Sequence, residues 1–205
     1  MTDEVHFIEG THQYFVNGEE YPSVSTVLGC LMDFSRVPRD VLEHKRQIGR
    51  AVHRAIELYA VDELDFDTLD PEVVPYFEGW VKFLADKPGL VVESELIVFH
   101  KKYRYAGRLD VNYLMEPGGL WQLDVKCVDR MSPATALQTA AYAEARNVMF
   151  PDARQITKRA GLQLKPGGYE LHPYNNPEHR TDFNYFLNTL NVHRWIVNNS
   201  PRKAA

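Results

Sequence analysis

Cysteine is scarce in this chain of 205 residues, which contains only Cys30 and Cys127. Two thiols are too few for a disulfide framework, and we expect both to be free and at least partly buried. They also cannot provide the four thiolates of an iron–sulfur cluster, and a closed zinc site would need histidines in addition. The cysteine content therefore predicts a protein without an iron–sulfur cluster.

Long hydrophobic runs are missing as well. No apolar stretch approaches the roughly 20 residues that a membrane-spanning helix needs. The chain begins with Met-Thr-Asp-Glu, which is acidic and lacks the basic and apolar regions of a signal peptide. These absences predict a cytoplasmic protein that has no membrane partner.

The chain also lacks an excess of positive charge. Its formal net charge is -5 at pH 7, from 23 Lys and Arg residues and 28 Asp and Glu residues. This balance argues against a protein that coats nucleic acid through bulk positive charge, although a local basic patch would still allow contact. The hydrophobic content of 44% is that of an ordinary globular protein.

The length is sufficient for one domain and marginal for two. We expect a single domain over residues 1–205, with an N-terminal hairpin and lead-in at 1–30 and a flexible tail at 198–205. Asn17-Gly18 is the strongest short hairpin signal, so it predicts the turn of that first hairpin.

Hydrophobic periodicity predicts the remaining elements. Apolar spacings of three and four residues predict helices over 41–60 and 71–85, the second with Pro71 in its first turn. The β-rich middle of the chain predicts a meander with strands at 91–99, 103–114 and 120–128. Further along, we expect a helix from the N-cap Ser132 to Arg146, a hairpin at 161–164 and 169–174, and a helix from about Asn176.

This order of elements predicts an α/β or α+β domain in which helices flank a mixed central β-sheet. Within it, chemistry concentrates on one predicted strand. Because side chains alternate along a strand, Asp124 and Lys126 share one face. The alternative is an ordinary ion pair on an exposed strand face.

A second acidic residue favours a functional site. Asp110 ends the preceding strand, and the turn at 116–119 folds it back towards Asp124. Two converging carboxylates repel each other unless a cation lies between them, and oxygen ligands favour Mg²⁺ or Mn²⁺. The alternative is a pair of solvated loop acids.

Other candidates are weaker when taken alone. His53 lies on the first long helix and is a possible metal ligand or a structural histidine, and Glu95 competes with Glu93 for a ligand role. Gln138 and Tyr142 lie four residues apart on one helix, where they either serve the lysine and a phosphate or form a polar rim.

Five short motifs link these residues. They are Tyr21-Pro-Ser-Val-Ser-Thr-Val-Leu28, Gly49-Arg-Ala-Val-His53, Ala106-Gly-Arg-Leu-Asp110, Asp124-Val-Lys126 and Gln138-Thr-Ala-Ala-Tyr142. In this order the sequence resembles the RecB-type branch of the PD-(D/E)XK nuclease superfamily, especially the small exonucleases of bacteriophages. One departure is Cys127-Val128, where the family commonly has Thr-Gly.

The resemblance implies a restriction-endonuclease-like core and a role for each matching position. The implied metal ligands are His53, Asp110, Asp124, the backbone carbonyl of Val125 and, with a looser match, Glu95. Lys126 would orient the attacking water or neutralise the scissile phosphate. Gln138 and Tyr142 would support the lysine or bind the substrate backbone.

The implied activity is Mg²⁺- or Mn²⁺-dependent exonucleolytic cleavage of DNA in phage or prophage recombination or end processing, beside a single-strand annealing protein. An endonuclease on the same core and a non-catalytic nucleic-acid-binding protein are the alternatives, and the oligomeric state stays open. We expect a basic cluster before Asp110 to contact the DNA, or else to form ordinary charged strand edges. Its members are Lys101, Lys102, Arg104 and Arg108.

Overall fold

A computed structural model describes residues 3–174 and 176–200. The strands are β1 (Val5–Ile8), β2 (Gln13–Val16), β3 (Glu19–Tyr21), β4 (Gly89–His100), β5 (Tyr105–Met115), β6 (Gly119–Lys126), β7 (Ile156–Lys165) and β8 (Gly168–Tyr174). The helices are α1 (Val24–Leu28), α2 (Arg39–Ala60), α3 (Val74–Asp86), α4 (Ala134–Met149) and α5 (Asn176–Asn199). Short 3-10 turns lie at Glu9–Thr11, Gly29–Leu31 and Phe66–Thr68.

The central sheet has five strands in the order β4-β5-β6-β7-β8. Strands β6 and β7 are parallel, and the other neighbouring pairs are antiparallel. A parallel pair requires a crossover connection, which here is α4. The mixed sheet that the sequence predicts is therefore confirmed, and the domain is of the α+β class.

Helices cover both faces of this sheet. Val52 of α2 and Trp80 of α3 belong to one buried cluster with Leu123 of β6. Leu120 of the same strand packs against Ala143 of α4. Since Leu120 and Leu123 are three residues apart on a strand, they face opposite sides. Helices α2 and α3 thus cover one face, and α4 covers the other.

The N-terminal segment forms a separate three-stranded sheet. Asn17 and Gly18 have φ angles of 52° and 80°, which suit the tight turn between β2 and β3. The predicted hairpin is confirmed, and β1 adds a third strand to it. The backbone nitrogen of Ala106 donates to the carbonyl of Pro22 at 3.1 Å, which ties this segment to the start of β5.

Several predicted boundaries differ from the structure. Helix α3 begins at Val74 rather than residue 71, because the Asp70 side chain accepts a hydrogen bond from the Glu72 backbone and closes a turn. Strand β5 begins at Tyr105 rather than residue 103, because Arg104 donates from its backbone to His100 in a turn.

The ends of α4 and α5 also shift. Helix α4 begins at Ala134, and the backbone nitrogen of Ala134 donates a hydrogen bond to the Ser132 hydroxyl at 3.2 Å. Helix α5 continues to Asn199, so the first residues of the expected tail are helical, while 201–205 lie outside the described residues. None of the helices within the described ranges has the length and apolarity to cross a membrane.

Replacing either of two helical glycines by alanine should change stability, with opposite signs at the two positions. A Cβ atom at Gly79 would lie 2.2 Å from the backbone oxygen of Gly168, so α3 approaches the β7–β8 hairpin too closely for any side chain. Gly79→Ala should lower the free energy of unfolding by about 1–3 kcal/mol through overpacking. Gly49→Ala, with nothing within 4 Å of its Cβ, should raise it by about 0.5–1 kcal/mol. Urea denaturation measures both, and equal effects would contradict the packing of α3.

Candidate metal and active site

The candidate site includes a position in β4 where side chains do not alternate regularly between the two faces of the sheet. Glu95 has a φ of 50°, in the left-handed region that non-glycine residues rarely adopt. As a result, Glu93 and Glu95 do not point to the same side. Glu93 forms a bidentate ion pair with Arg146 of α4, whereas Glu95 reaches His53 of α2. Of the two glutamates, Glu95 is therefore the one that lies beside His53, and Glu93 is held by Arg146.

Asp110 lies across from Glu95 on β5. The flanking register pairs are Ser94 with Val111 and Leu96 with Leu109, which brings the two acids opposite each other. The Asp110 Oδ2 accepts a hydrogen bond from the backbone nitrogen of Val125 at 2.7 Å, across to β6. This bond fixes the carboxylate of Asp110 at the end of β6.

His53 connects α2 to these strands. Its Nδ1 lies 3.2 Å from Glu95 Oε1 and 3.7 Å from Asp110 Oδ1. Its Nε2 lies 3.0 Å from the carbonyl oxygen of Val125. Glu57, one turn further along α2, pairs with Arg54 instead of His53.

Asp124 and Lys126 complete the cluster. Asp124 is fully buried, and the Lys126 Nζ lies 2.5 Å from its Oδ2 and 3.9 Å from Asp110 Oδ2. Apart from this ion pair, neither oxygen of Asp124 has a hydrogen-bond partner among the described residues. The predicted placement of Asp124 and Lys126 on one face, converging with Asp110, is confirmed.

Burial and charge shift the pKa values of these groups. Burial raises the pKa of Asp124 to about 6, although the ammonium group of Lys126 opposes the rise. Burial alone would lower the pKa of His53, but the carboxylates of Asp110 and Glu95 outweigh it and bring the value to about 9. Burial alone would lower the pKa of Lys126 as well, but the carboxylates of Asp124 and, less strongly, Asp110 raise it. Lys126 therefore stays charged.

Gln138 and Tyr142 lie on α4, behind this cluster. Both are buried, and burial raises the pKa of Tyr142 well above its ordinary value, against a hydrogen bond from Gln138 that lowers it. Gly107 makes room for the ring, because a Cβ there would lie 2.6 Å from the Tyr142 Cε1. Tyr142 is therefore a neutral hydroxyl within electrostatic range of Asp110 and Asp124.

One group of side chains fits a divalent cation. His53, Glu95 and Asp110 each offer a ligand atom, and these atoms lie within 4.8 Å of one another. The oxygen-rich donor set suits a hard cation, and the unpartnered oxygen of buried Asp124 provides a further acceptor beside it. Asp124 itself lies outside that group of three, and it pairs with Lys126.

The predicted basic cluster divides into two parts. Arg108 lies beside the site, with its guanidinium group 3.8 Å from Glu95. Lys101, Lys102 and Arg104 lie in the β4–β5 turn, five residues or more beyond Glu95, which corresponds to at least about 16 Å along the strand. In that turn Lys101 pairs with Asp3 and Arg104 with Glu19.

A residue that sequence reasoning missed holds the segment after Lys126. Gln163 of β7 is buried beside Lys126, and its amide nitrogen donates to the carbonyls of Val128 and Asp129 at 2.7 and 3.0 Å. His172 contacts its amide oxygen at 2.9 Å. These bonds hold the backbone at Val128 and Asp129, directly after the end of β6 and Cys127. An isolated glutamine on a strand gives no sequence signal for this role.

Metal binding should depend on pH because of His53. A cation that takes an imidazole nitrogen must displace the proton that His53 carries up to about pH 9. Apparent Mn²⁺ affinity should therefore rise by up to about tenfold per pH unit from about pH 7 to pH 8, where Asp124 is already ionised. Isothermal titration calorimetry in buffers of different ionisation enthalpy measures both the affinity and the released proton.

His53→Gln is the matched control for this dependence. It keeps a polar side chain of similar reach but carries no titrating proton, so its Mn²⁺ affinity should be weaker and nearly constant over the same range. A wild-type affinity that does not change with pH would contradict a role for His53 as a ligand.

No family profile matches this sequence, and no curated protein matches it significantly. What the chain does is therefore inferred from its own side chains and from the motifs that they form.

Proposed function

We propose that this chain is a metal-dependent deoxyribonuclease with a restriction-endonuclease-like core of the PD-(D/E)XK type. The observation that supports this proposal most is the convergence of Glu95, Asp110 and Asp124 on three neighbouring strands, with His53 and Lys126 between them. Buried like charges are costly. A structural role alone gives no reason to collect three acids at one point of a sheet.

Phosphodiester hydrolysis requires an activated water and a stabilised phosphate. A divalent cation held by His53, Glu95 and Asp110, and adjoined by Asp124 and the Val125 carbonyl, would supply Lewis-acid activation and charge neutralisation. The carbonyl of Val125 lies 3.0 Å from the His53 Nε2. This contact orients the ring so that its other nitrogen, Nδ1, faces the carboxylates of Glu95 and Asp110.

Lys126 contributes a permanent positive charge. Its ammonium group is half-buried, and the only carboxylates within 4 Å among the described residues are Asp124 and Asp110. A preorganised charge in a site that excludes water stabilises negative charge that develops on a phosphate. In this proposal Lys126 orients the attacking water or contacts the scissile phosphate, and Asp124 fixes its position.

Gln138 and Tyr142 support the same site from α4. Because Tyr142 stays neutral, its hydroxyl can donate to a phosphate oxygen or to the aspartates without adding charge. Arg108 is the member of the predicted DNA-binding cluster that lies beside the acidic site, 3.8 Å from Glu95. We propose that the other three members, Lys101, Lys102 and Arg104, contact the DNA backbone further from the cleaved bond.

We further propose that cleavage starts from DNA ends, as in the phage exonucleases that the sequence resembles. DNA is then the main partner, and the resemblance adds a single-strand annealing protein as a second one. Recombination or end processing in the cytoplasm of a bacterial host would be the setting of this activity.

The activity is tested with end-labelled linear double-stranded DNA and a covalently closed circle, each with Mg²⁺ or Mn²⁺. Wild-type protein should degrade the linear DNA and spare the circle. Lys126→Ala should reduce the rate by at least about 100-fold, because it removes the charge that faces the phosphate. Lys165→Ala is the matched control, since Lys165 pairs with Glu170 on the exposed β7–β8 hairpin and should leave the rate unchanged.

A second variant separates catalysis from folding. Lys126→Ala leaves Asp124 buried without a counter-charge, a change that costs about 3–5 kcal/mol of stability in other proteins. Asp110→Asn keeps an oxygen that can accept from the Val125 backbone, so it should fold and still be inactive. Cutting of the circle would favour the endonuclease alternative, and DNA binding without cleavage under either metal would favour the non-catalytic one.

A further inference from the structure

Tyr14 of β2 is one of the most deeply buried side chains, with none of its surface exposed. It packs in a small cluster with Phe99 and Ala106, where the N-terminal sheet meets the central sheet. Its ring lies 4.6 Å from the ring of Phe7 on β1. Packing therefore accounts for the ring, but it does not account for the hydroxyl.

The hydroxyl of Tyr14 is buried and has no hydrogen-bond partner among the described residues. Tyr105 provides the contrast, because it is equally buried and its hydroxyl donates to the carbonyl of Ala141 at 2.9 Å. Leaving a buried hydroxyl unpaired destabilises a protein, and a phenylalanine would fill the same space without that cost. The retained hydroxyl indicates a partner in the working state of the site.

Arg108 and Glu95 both lie within electrostatic range of Tyr14. Arg108 lies over the Phe7 ring at 4.5 Å, and its Nε is likewise buried without a hydrogen-bond partner. Its guanidinium group lies 3.8 Å from the Oε2 of Glu95. Burial raises the pKa of Tyr14 to about 12, with Arg108 lowering it and Glu95 raising it further, so both charges act on this neutral donor.

Two buried donors without a partner among the described residues thus share the Phe7 ring as a neighbour, and one of them belongs to the arginine that pairs with Glu95. We propose that Tyr14 is a positioning residue for Glu95, donating with the Arg108 Nε to Glu95 Oε2 through one bridging water. Glu95 Oε1, the atom that faces His53 at 3.2 Å, then remains directed at the cation. This inference rests on the proposed metal site and links the N-terminal sheet to it.

A hydrogen bond to a ligating carboxylate fixes its orientation, and its loss typically weakens metal affinity about 10- to 100-fold. Tyr14→Phe should therefore weaken Mn²⁺ binding by about tenfold or more in a calorimetric titration without DNA. The metal-free Tyr14→Phe protein should unfold at the same temperature as wild type or a higher one, because it loses only an unpaired buried hydroxyl.

Tyr105→Phe is the matched control with the opposite signature. It removes the hydroxyl that bonds to Ala141, so its unfolding temperature should fall while its Mn²⁺ affinity stays that of the wild type. A purely structural role for both tyrosines would not produce this crossed pattern of stability and metal affinity.

Two outcomes overturn the inference. One is a Tyr14→Phe protein with wild-type Mn²⁺ affinity, and the other is a wild-type protein that binds no Mn²⁺, which also removes the proposed metal site. A wild-type protein that binds Mn²⁺ but cleaves no DNA contradicts only the proposed nuclease function. In that case the difference between Tyr14→Phe and Tyr105→Phe still supports the role of Tyr14.

Discussion

The buried carboxylates of Asp110 and Asp124 both lie within 4 Å of the Lys126 Nζ, and the repulsion between them constrains the side chains around them. Lys126 stabilises the pair from the same strand as Asp124, at 2.5 Å from its Oδ2. His53 stabilises it from α2, where a raised pKa of about 9 keeps the imidazole protonated. Removal of either positively charged side chain, Lys126 or His53, would leave buried negative charge uncompensated. Helix α2 and strand β6 therefore depend on the same electrostatic balance.

Glu95 adds a third acid to this balance through an unusual backbone. Its left-handed φ of 50° costs on the order of 1–3 kcal/mol. Such strain persists where the surrounding structure holds it, and here the register with β5 and the contact with His53 do so. The reversal also releases Glu93 to bind Arg146, which anchors α4 on the opposite face. One strained residue thus places Glu95 beside His53 and leaves Glu93 free to anchor α4 through Arg146.

The sequence predicts the parts of the site that depend on regular periodicity. Alternation along β6 correctly places Asp124 and Lys126 together, and the turn before it correctly brings Asp110 beside them. Alternation fails for β4, because a left-handed residue cannot be read from a pattern that assumes regular pleating. The partners of Gln163 and the unpaired hydroxyl of Tyr14 also escape prediction, since both depend on contacts between segments far apart in the chain.

Anomalous scattering from crystals soaked in Mn²⁺ would show whether His53, Glu95 and Asp110 bind a cation, because it locates the metal without reference to activity. One strong anomalous peak should lie between Glu95, Asp110 and His53, with the Val125 carbonyl or Asp124 adjoining it. A peak elsewhere on the surface, or none within reach of these side chains at saturating Mn²⁺, would contradict the proposed metal site. The buried acids would then need an explanation that does not involve a metal.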